Sequence, residues 1–118
     1  MSYPQSLDQM LAIWNSSDTD QINHLAEQAL ETNLQFVDPN YNIIGRDAFI
    51  EMVHAVHKKI PGAVYSRASQ IDSHNGLYRY HWAIHLNGEL IMPGFDVTEI
   101  NDTGKIVKVI GFFGNIEH

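Results

Sequence analysis

The sequence predicts an α+β domain in which three N-terminal helices pack on one face of a strongly curved, mostly antiparallel sheet, forming a cone with an internal cavity. Three observations carry this. Apolar residues recur at helical spacing in the first half of the chain, they alternate at strand spacing in the second half, and Pro93-Gly94 interrupts a long strand where a bulge would bend it. A bulged, twisted sheet folded over helices leaves a conical space between the two layers.

Leu7, Met10, Leu11 and Trp14 fall at i, i+3, i+4 and i+7, one helical face that stops at Asn15-Ser16-Ser17. Asp18 or Asp20 can cap a second helix, whose Ile22, Leu25, Ala26, Ala29 and Leu30 form a stripe ending at Thr32-Asn33. A short strand follows over 34–37, broken by Asp38-Pro39-Asn40, because proline cannot donate to a ladder and holds its predecessor extended. A small strand over 41–44 leads through Gly45-Arg46-Asp47 into a third helix, which turns Phe49, Met52, Val53 and Val56 inward. Acids near its start, Lys58-Lys59 near its end and the stop at Pro61-Gly62 fit the helix dipole.

From residue 63 onward the pattern predicts strands only: 63–71, a turn over 72–76, then 77–86 and the Asn87-Gly88 turn, a strong hairpin signal. Tyr78, Tyr80, Trp82, Ile84 and Leu86 form the core face of the strand over 77–86, and Arg79, His81, Ala83 and His85 the outer face. If the 72–76 loop closes evenly, Arg67 lies opposite His81 and Ser69 opposite Arg79, both on that outer face. The final hairpin pairs 95–100 with 105–113 across Asn101-Asp102-Thr103-Gly104, which sets Thr98 opposite Val107 and Asp96 opposite Val109 if it closes evenly. Asp96 then shares a face with Val107, Val109, Gly111 and Phe113. A carboxylate there is costly to ionise, so it stays protonated as a donor or is paired. Even pairing across Asn87-Gly88 would put Ile84 opposite Ile91, Trp82 opposite Pro93, and Asp96 opposite Arg79 on the polar face. One extra residue at Pro93-Gly94 brings Asp96 opposite Tyr80 instead, beside Trp82. The predicted cavity wall is Met10 and Trp14 from the first helix, Val53 from the third, and Tyr80, Trp82, Ile84, Val109 and Phe113 from the sheet.

Length and composition bound the function. A chain of 118 residues is large enough for one core, and no linker, repeat or low-complexity segment divides it, so residues 1–118 read as a single domain. With 44% hydrophobic and 18% charged residues it reads as an ordinary globule. Seven Lys and Arg against fourteen Asp and Glu give a formal charge of -7, which argues against a phosphate-binding surface and hence against nucleic acid as a partner. The chain has no cysteine, which excludes disulfides, thiolate metal sites and a cysteine nucleophile. No basic and apolar leader and no membrane-length apolar run is present, so no membrane partner is expected and the default compartment is cytoplasmic. His54 and His57 stand at i, i+3 without a third ligand nearby, and His81 and His85 are roughly 13 Å apart along a strand, so no metal is expected.

The order of elements, with NSSDTD at 15–20, FVDP at 36–39, GRDAF at 45–49, GFD at 94–96 and DTGKIVKVIGFFG at 102–114, resembles the nuclear transport factor 2-like superfamily over nearly the whole chain. Within it, the likeness is to SnoaL-like polyketide cyclases and ketosteroid isomerases. The resemblance implies a cystatin-like cone and a cofactor-independent reaction. In ketosteroid isomerases the aspartate of the Asp-Pro step is the general base, a role that would fall on Asp38. The aspartate eight residues before the Gly-Lys of the last hairpin is an oxyanion-hole acid, kept neutral in an apolar site, and that position is Asp96. One departure stands out: counting back from NSSDTD, the oxyanion tyrosine of those enzymes falls on Met10, which cannot donate a hydrogen bond. Tyr80, or the indole N–H of Trp82 or Trp14, could compensate.

Two functions follow as expectations. The first is an acid/base isomerase, cyclase or dehydratase-type pocket for a small apolar carbonyl compound, steroid- or polyketide-like, with Asp38 as base, Asp96 as acid and no cofactor. The second is a non-catalytic ligand-binding or dimerisation module of the same fold. An aspartate before proline often only closes a turn through its own backbone, and a buried acid can be a purely structural member of a polar network. The outer sheet face, with Phe95, Val97, Ile110 and Phe112 beside polar residues, suits a homodimer, as the resemblance also implies.

Overall fold

A computed structural model describes residues 3–114. Helices α1 (Gln5–Asn15), α2 (Thr19–Ala29) and α3 (Arg46–Lys59) form one layer, and seven strands form the other. The strands are β1 (Leu30–Val37), β2 (Asn42–Ile44), β3 (Val64–Arg67), β4 (Asp72–His74), β5 (Leu77–Leu86), β6 (Glu89–Ile100) and β7 (Ile106–Phe113). Their order is β2-β1-β7-β6-β5-β3, with β4 also on β5, and all neighbours are antiparallel except β1 and β7. The α+β cone is therefore as the sequence predicts. No helix among the described residues is long and apolar enough to cross a membrane.

The core follows the helical stripes. Leu7, Ile13, Ile22, Phe49 and Val53 are completely buried, and they meet Leu30, Ile106 and Val109 from the sheet. Asp18 caps α2 by accepting hydrogen bonds from the backbone N–H of Asp20 and Gln21 at 3.0 and 3.4 Å. Helix α2 is shorter than its apolar stripe suggests: it ends at Ala29, and Leu30 already belongs to β1, opposite Ile106 of β7. Leu30 fits both a helical and a strand pattern, and parallel pairing with β7 decides between them. At the far end of α1, the Asn15 side chain imitates a peptide group. Its amide donates to the Tyr65 carbonyl at 2.7 Å, and its oxygen accepts the Tyr65 N–H at 2.8 Å.

Three registers differ from even closure. Asn87 and Gly88 are both left-handed, with φ of 54° and 81°, as a tight hairpin turn requires. The ladder starts evenly with Leu86 opposite Glu89, then slips by one residue, so that Ile84 faces Met92, Trp82 faces Gly94 and Tyr80 faces Asp96. The expected partner of Asp96 is thus correct, but the bulge lies at Ile91 rather than Pro93-Gly94. That position puts Gly94 under the Trp82 ring, where any Cβ would collide with the indole.

In the final hairpin, Asn101 and Lys105 close a three-residue loop, and a second irregularity follows beside Ile106. The Asn101 side-chain oxygen organises the loop by accepting from the N–H of Thr103 and Lys105. Together the two departures shift the register by two residues. Asp96 faces Gly111 rather than Val109, and Thr98 faces Val109 rather than Val107. An even shift leaves Asp96 on the inner face, although Ile106 replaces Val107 there.

The third difference changes a face. The predicted strand over 63–71 is split: β4 closes on β5 through Asn75-Gly76, with Asp72 opposite Arg79. Residues 69–71 then stand against Tyr80 alone, with the Ser69 hydroxyl accepting the His81 N–H at 2.8 Å. Arg67 consequently pairs with Trp82, not His81, and it points inward.

Candidate functional site

Between α1, the end of α3 and the inner faces of β3, β5 and β6 lies a pocket of about 340 Å³. That is the size of a small-molecule site, and most of the wall is apolar. Of the predicted wall, Met10, Trp14, Tyr80, Trp82, Ile84 and Phe113 line it, and so do both acids, Asp38 and Asp96. Val53 and Val109 do not. Both are completely buried in the helix-sheet core, because α3 turns Val56 rather than Val53 to the lumen and the register shift puts Gly111 where Val109 was expected.

Asp96 is organised by its cross-strand neighbours. The Trp82 indole N–H donates to its Oδ1 at 2.8 Å. Phe113 meets the Trp82 ring edge-on at 5.8 Å between centroids and fixes the indole's other side. Burial pushes the Asp96 carboxyl up to about 7, aided by the charge of Asp38, while the hydrogen bonds of Trp82 and Tyr80 hold it down. Tyr80, whose hydroxyl lies 3.3 Å from the Thr98 hydroxyl, is pushed up as well, by burial first and by Asp96 second. Among the described residues no cation forms an ion pair with Asp96.

Asp38 lies across Gly111. A side chain at Gly111 would start 3.0 Å from Asp96 Oδ1 and 3.4 Å from the Asp38 Cβ, so the glycine lets the two acids approach over the β7 backbone. Asp38 also closes its own turn: Oδ1 accepts from the N–H of Asn40 at 2.8 Å and of Tyr41 at 2.9 Å. Those bonds fix the carboxylate, and leave Oδ2 for other work.

Two of the expected substitutes for the absent tyrosine are engaged elsewhere. Met10 does line the pocket, but the Trp82 N–H is spent on Asp96, and the Tyr80 hydroxyl sits beside Thr98. Trp14 is an aromatic hub, 5.2 Å from Tyr65 and 5.9 Å from Phe49 between centroids. Its carbonyl accepts the His57 Nε2–H at 2.7 Å, which gives that histidine a structural partner.

Several polar residues of the wall were absent from the expected site: Asn40, Tyr41, Lys59 and Ser66, and with them Tyr65 and Arg67. Arg67 pairs with Asp8 at 3.0 Å and stacks over the Tyr80 ring at 5.2 Å. The alternation Tyr65-Ser66-Arg67 was the available signal: a strand that turns Tyr65 to the aromatic interior must turn Arg67 there too.

No family model matches the chain, and comparison with curated proteins gives no match. Solved structures do match. A candidate isomerase of the SnoaL-like family from Agrobacterium tumefaciens is 30% identical, with a TM-score of 0.88 over 94% of this chain and 96% of that one. A nuclear transport factor 2-like protein of unknown function from an Exiguobacterium species is 19% identical, with a TM-score of 0.76 over 94% of this chain and 99% of its own. A candidate polyketide cyclase from Sinorhizobium meliloti is 14% identical, with a TM-score of 0.73 over 92% and 94%. The last two are likenesses of fold.

Proposed function

The chain belongs to the SnoaL-like family, and from that premise we propose that its pocket is a cofactor-independent acid/base site acting on a small apolar carbonyl compound, steroid- or polyketide-like. The observation that carries this reading is the pair of acids across Gly111, held in different environments at one apolar lumen. Asp38, anchored through Oδ1, takes a proton from the carbon next to the carbonyl with Oδ2. Asp96, protonated below about pH 7, donates to the oxygen on which charge develops. Returning the proton at another carbon gives an isomerase, whereas attack of the enolate on a second carbonyl gives a cyclase. The name of the 30% identical relative, a candidate isomerase of the SnoaL-like family, supports the first outcome.

The test is an enolisation assay on simple cyclic ketones. Asp38→Asn is expected to lower the rate roughly 100-fold or more, in line with loss of a general base. An unchanged rate removes Asp38 from the reaction. Met10 favours a second reading, a binding module without turnover, because it leaves the lumen one donor short. That reading expects ligand binding with no enolisation in the native protein. For the outer sheet face we propose a second copy of the chain as partner, since Phe112 is 56% exposed there, directly across from Phe95 on the neighbouring strand.

A further inference from the structure

Two buried donors on β3, both in residues of the pocket wall, have no acceptor among the described residues: the Tyr65 hydroxyl and the Arg67 Nε–H. They belong to residues i and i+2 on one face of the strand, roughly 7 Å apart along the backbone. Both terminal nitrogens of the guanidinium are engaged. Nη1 donates to Asp8 at 3.0 Å and to the Tyr3 hydroxyl at 3.3 Å, and Nη2 donates to the Leu7 carbonyl at 3.4 Å. Arg67 is therefore held still, with Nε as its spare donor. Burial keeps the proton on Tyr65, so its hydroxyl remains a donor across the neutral range. Native proteins retain few buried donors without an acceptor, because such a group gives up its hydration for nothing.

The register says where these donors stand. Arg67 faces Trp82 and Tyr65 faces Ile84 across β3 and β5, and on the next strand Trp82 and Tyr80 face Gly94 and Asp96. Asp96 is thus two strand spacings from β3 and also offset along the strands, by two residues from the level of Arg67 and by four from that of Tyr65, so the Tyr65 backbone stands roughly 16 Å from it and the Arg67 backbone roughly 12 Å. The apolar side chains of Met10 and Trp14 border the space from α1.

We propose that Tyr65 and Arg67 form a second polar station that takes an acceptor oxygen at the far end of the ligand, so that the substrate is an apolar compound oxygenated at both ends. The near end of that substrate rests on the reading of Asp38 and Asp96 given above. Both donors belong to residues that line the pocket, and a turn of the Tyr65 side chain, an adjustment common on binding, would present its hydroxyl to the ligand. Because Asp8 already balances the Arg67 charge, the station suits a neutral carbonyl or hydroxyl better than a carboxylate.

The experiment is a fluorescence titration with two probes: para-hydroxybiphenyl carrying an acetyl group at the opposite para position, and its isopropyl analogue of the same shape. Only the first offers an acceptor at the far end. It is expected to bind the native protein about tenfold more tightly, the effect of one or two well-placed hydrogen bonds. Tyr65→Phe should reduce the preference to about twofold. Arg67→Lys, which keeps a charge beside Asp8 but lacks Nε, should also reduce it. Equal affinities in the native protein, a preference that survives both variants, or no binding of either probe at millimolar concentration would each overturn the proposal. Asp38→Asn separates this idea from the catalytic one. The acetyl preference should persist in that variant, so a native protein that prefers the acetyl probe without enolising ketones refutes only the chemistry. Turnover without the preference refutes only the station.

Discussion

Strand β7 runs through two environments, and the contrast between them explains how one small domain holds both a core and a site. Near the last hairpin, Ile106 and Val109 are completely buried against Leu30, Phe49 and the α2 stripe. Four residues further along, Phe113 borders the lumen, and Gly111 lies beneath the two acids. Strand β6 repeats the contrast in reverse: Thr98 is completely buried, and Asp96 opens to the pocket. The packed end contains shapes that fill space, whereas the open end contains glycines that leave it. Gly94 and Gly111 carry no side chain at this end, and the room they leave goes to the Trp82 indole and two carboxyls.

If the two ends are as different as this, damage to one should leave the other readable. The largest effect is expected at the packed end. Phe49→Ala should cost roughly 3–5 kcal/mol in urea denaturation, yet leave the titration of Asp96 where it is. A comparable shift of that titration would show that the ends are not separate.

Asp96→Asn should have the opposite character. The native acid is held near 7 against an ordinary value of 3.8, so folding favours its protonated form. Between those values the folded state binds more protons than the unfolded one, and this contribution to stability is lost as pH rises from about 4 through about 7. An amide that never ionises escapes the loss. The variant should gain roughly 2–4 kcal/mol over the native protein at pH above 8, and little at pH below 4, read from paired denaturation curves. A gain independent of pH would mean that burial does not control this carboxyl.

Gly94→Ala comes last in energy, at roughly 1–3 kcal/mol, because the sheet or the indole must shift to admit a methyl group. It is the most specific of the three. With the Trp82 N–H displaced, Asp96 loses a hydrogen bond that favours its ionised form, and its carbon-13 carboxyl titration should move above 7. An unmoved titration would show that the indole contributes nothing to the site.

Most of the fold was legible because helical stripes and turn chemistry are local. Asp18 capping α2, Asn87-Gly88 closing a hairpin and Pro61-Gly62 following α3 all depend on neighbours in sequence. The pairing of Asp96 with Tyr80 was legible for a different reason: only one extra residue brings a lone acid to the face of Tyr80 and Trp82. Where that residue sits was not legible, since it depends on the Trp82 ring needing Gly94 beneath it. The inward Arg67 was missed because the chain turns on Asn75-Gly76 rather than over the whole of 72–76, an odd shift of three residues that changes the face, while the two positions inserted at 69–71 leave the face as it is. The same limit displaced Val53 and Val109 from the lumen to the core. Which of two neighbouring inward residues meets empty space is settled by how layers rotate on each other, and periodicity alone does not contain that angle.

The Asn15 side chain, paired to both backbone groups of Tyr65, has a consequence for how molecules of this protein meet one another. Strand β3 is the last in the sheet, and a terminal strand normally invites a stranger to add itself there. Asn15 occupies the docking groups at Tyr65 as a strand one residue long, and α1 stands behind it. Sheet growth from that border is blocked at its midpoint, so assembly between copies is steered away from strand addition at β3.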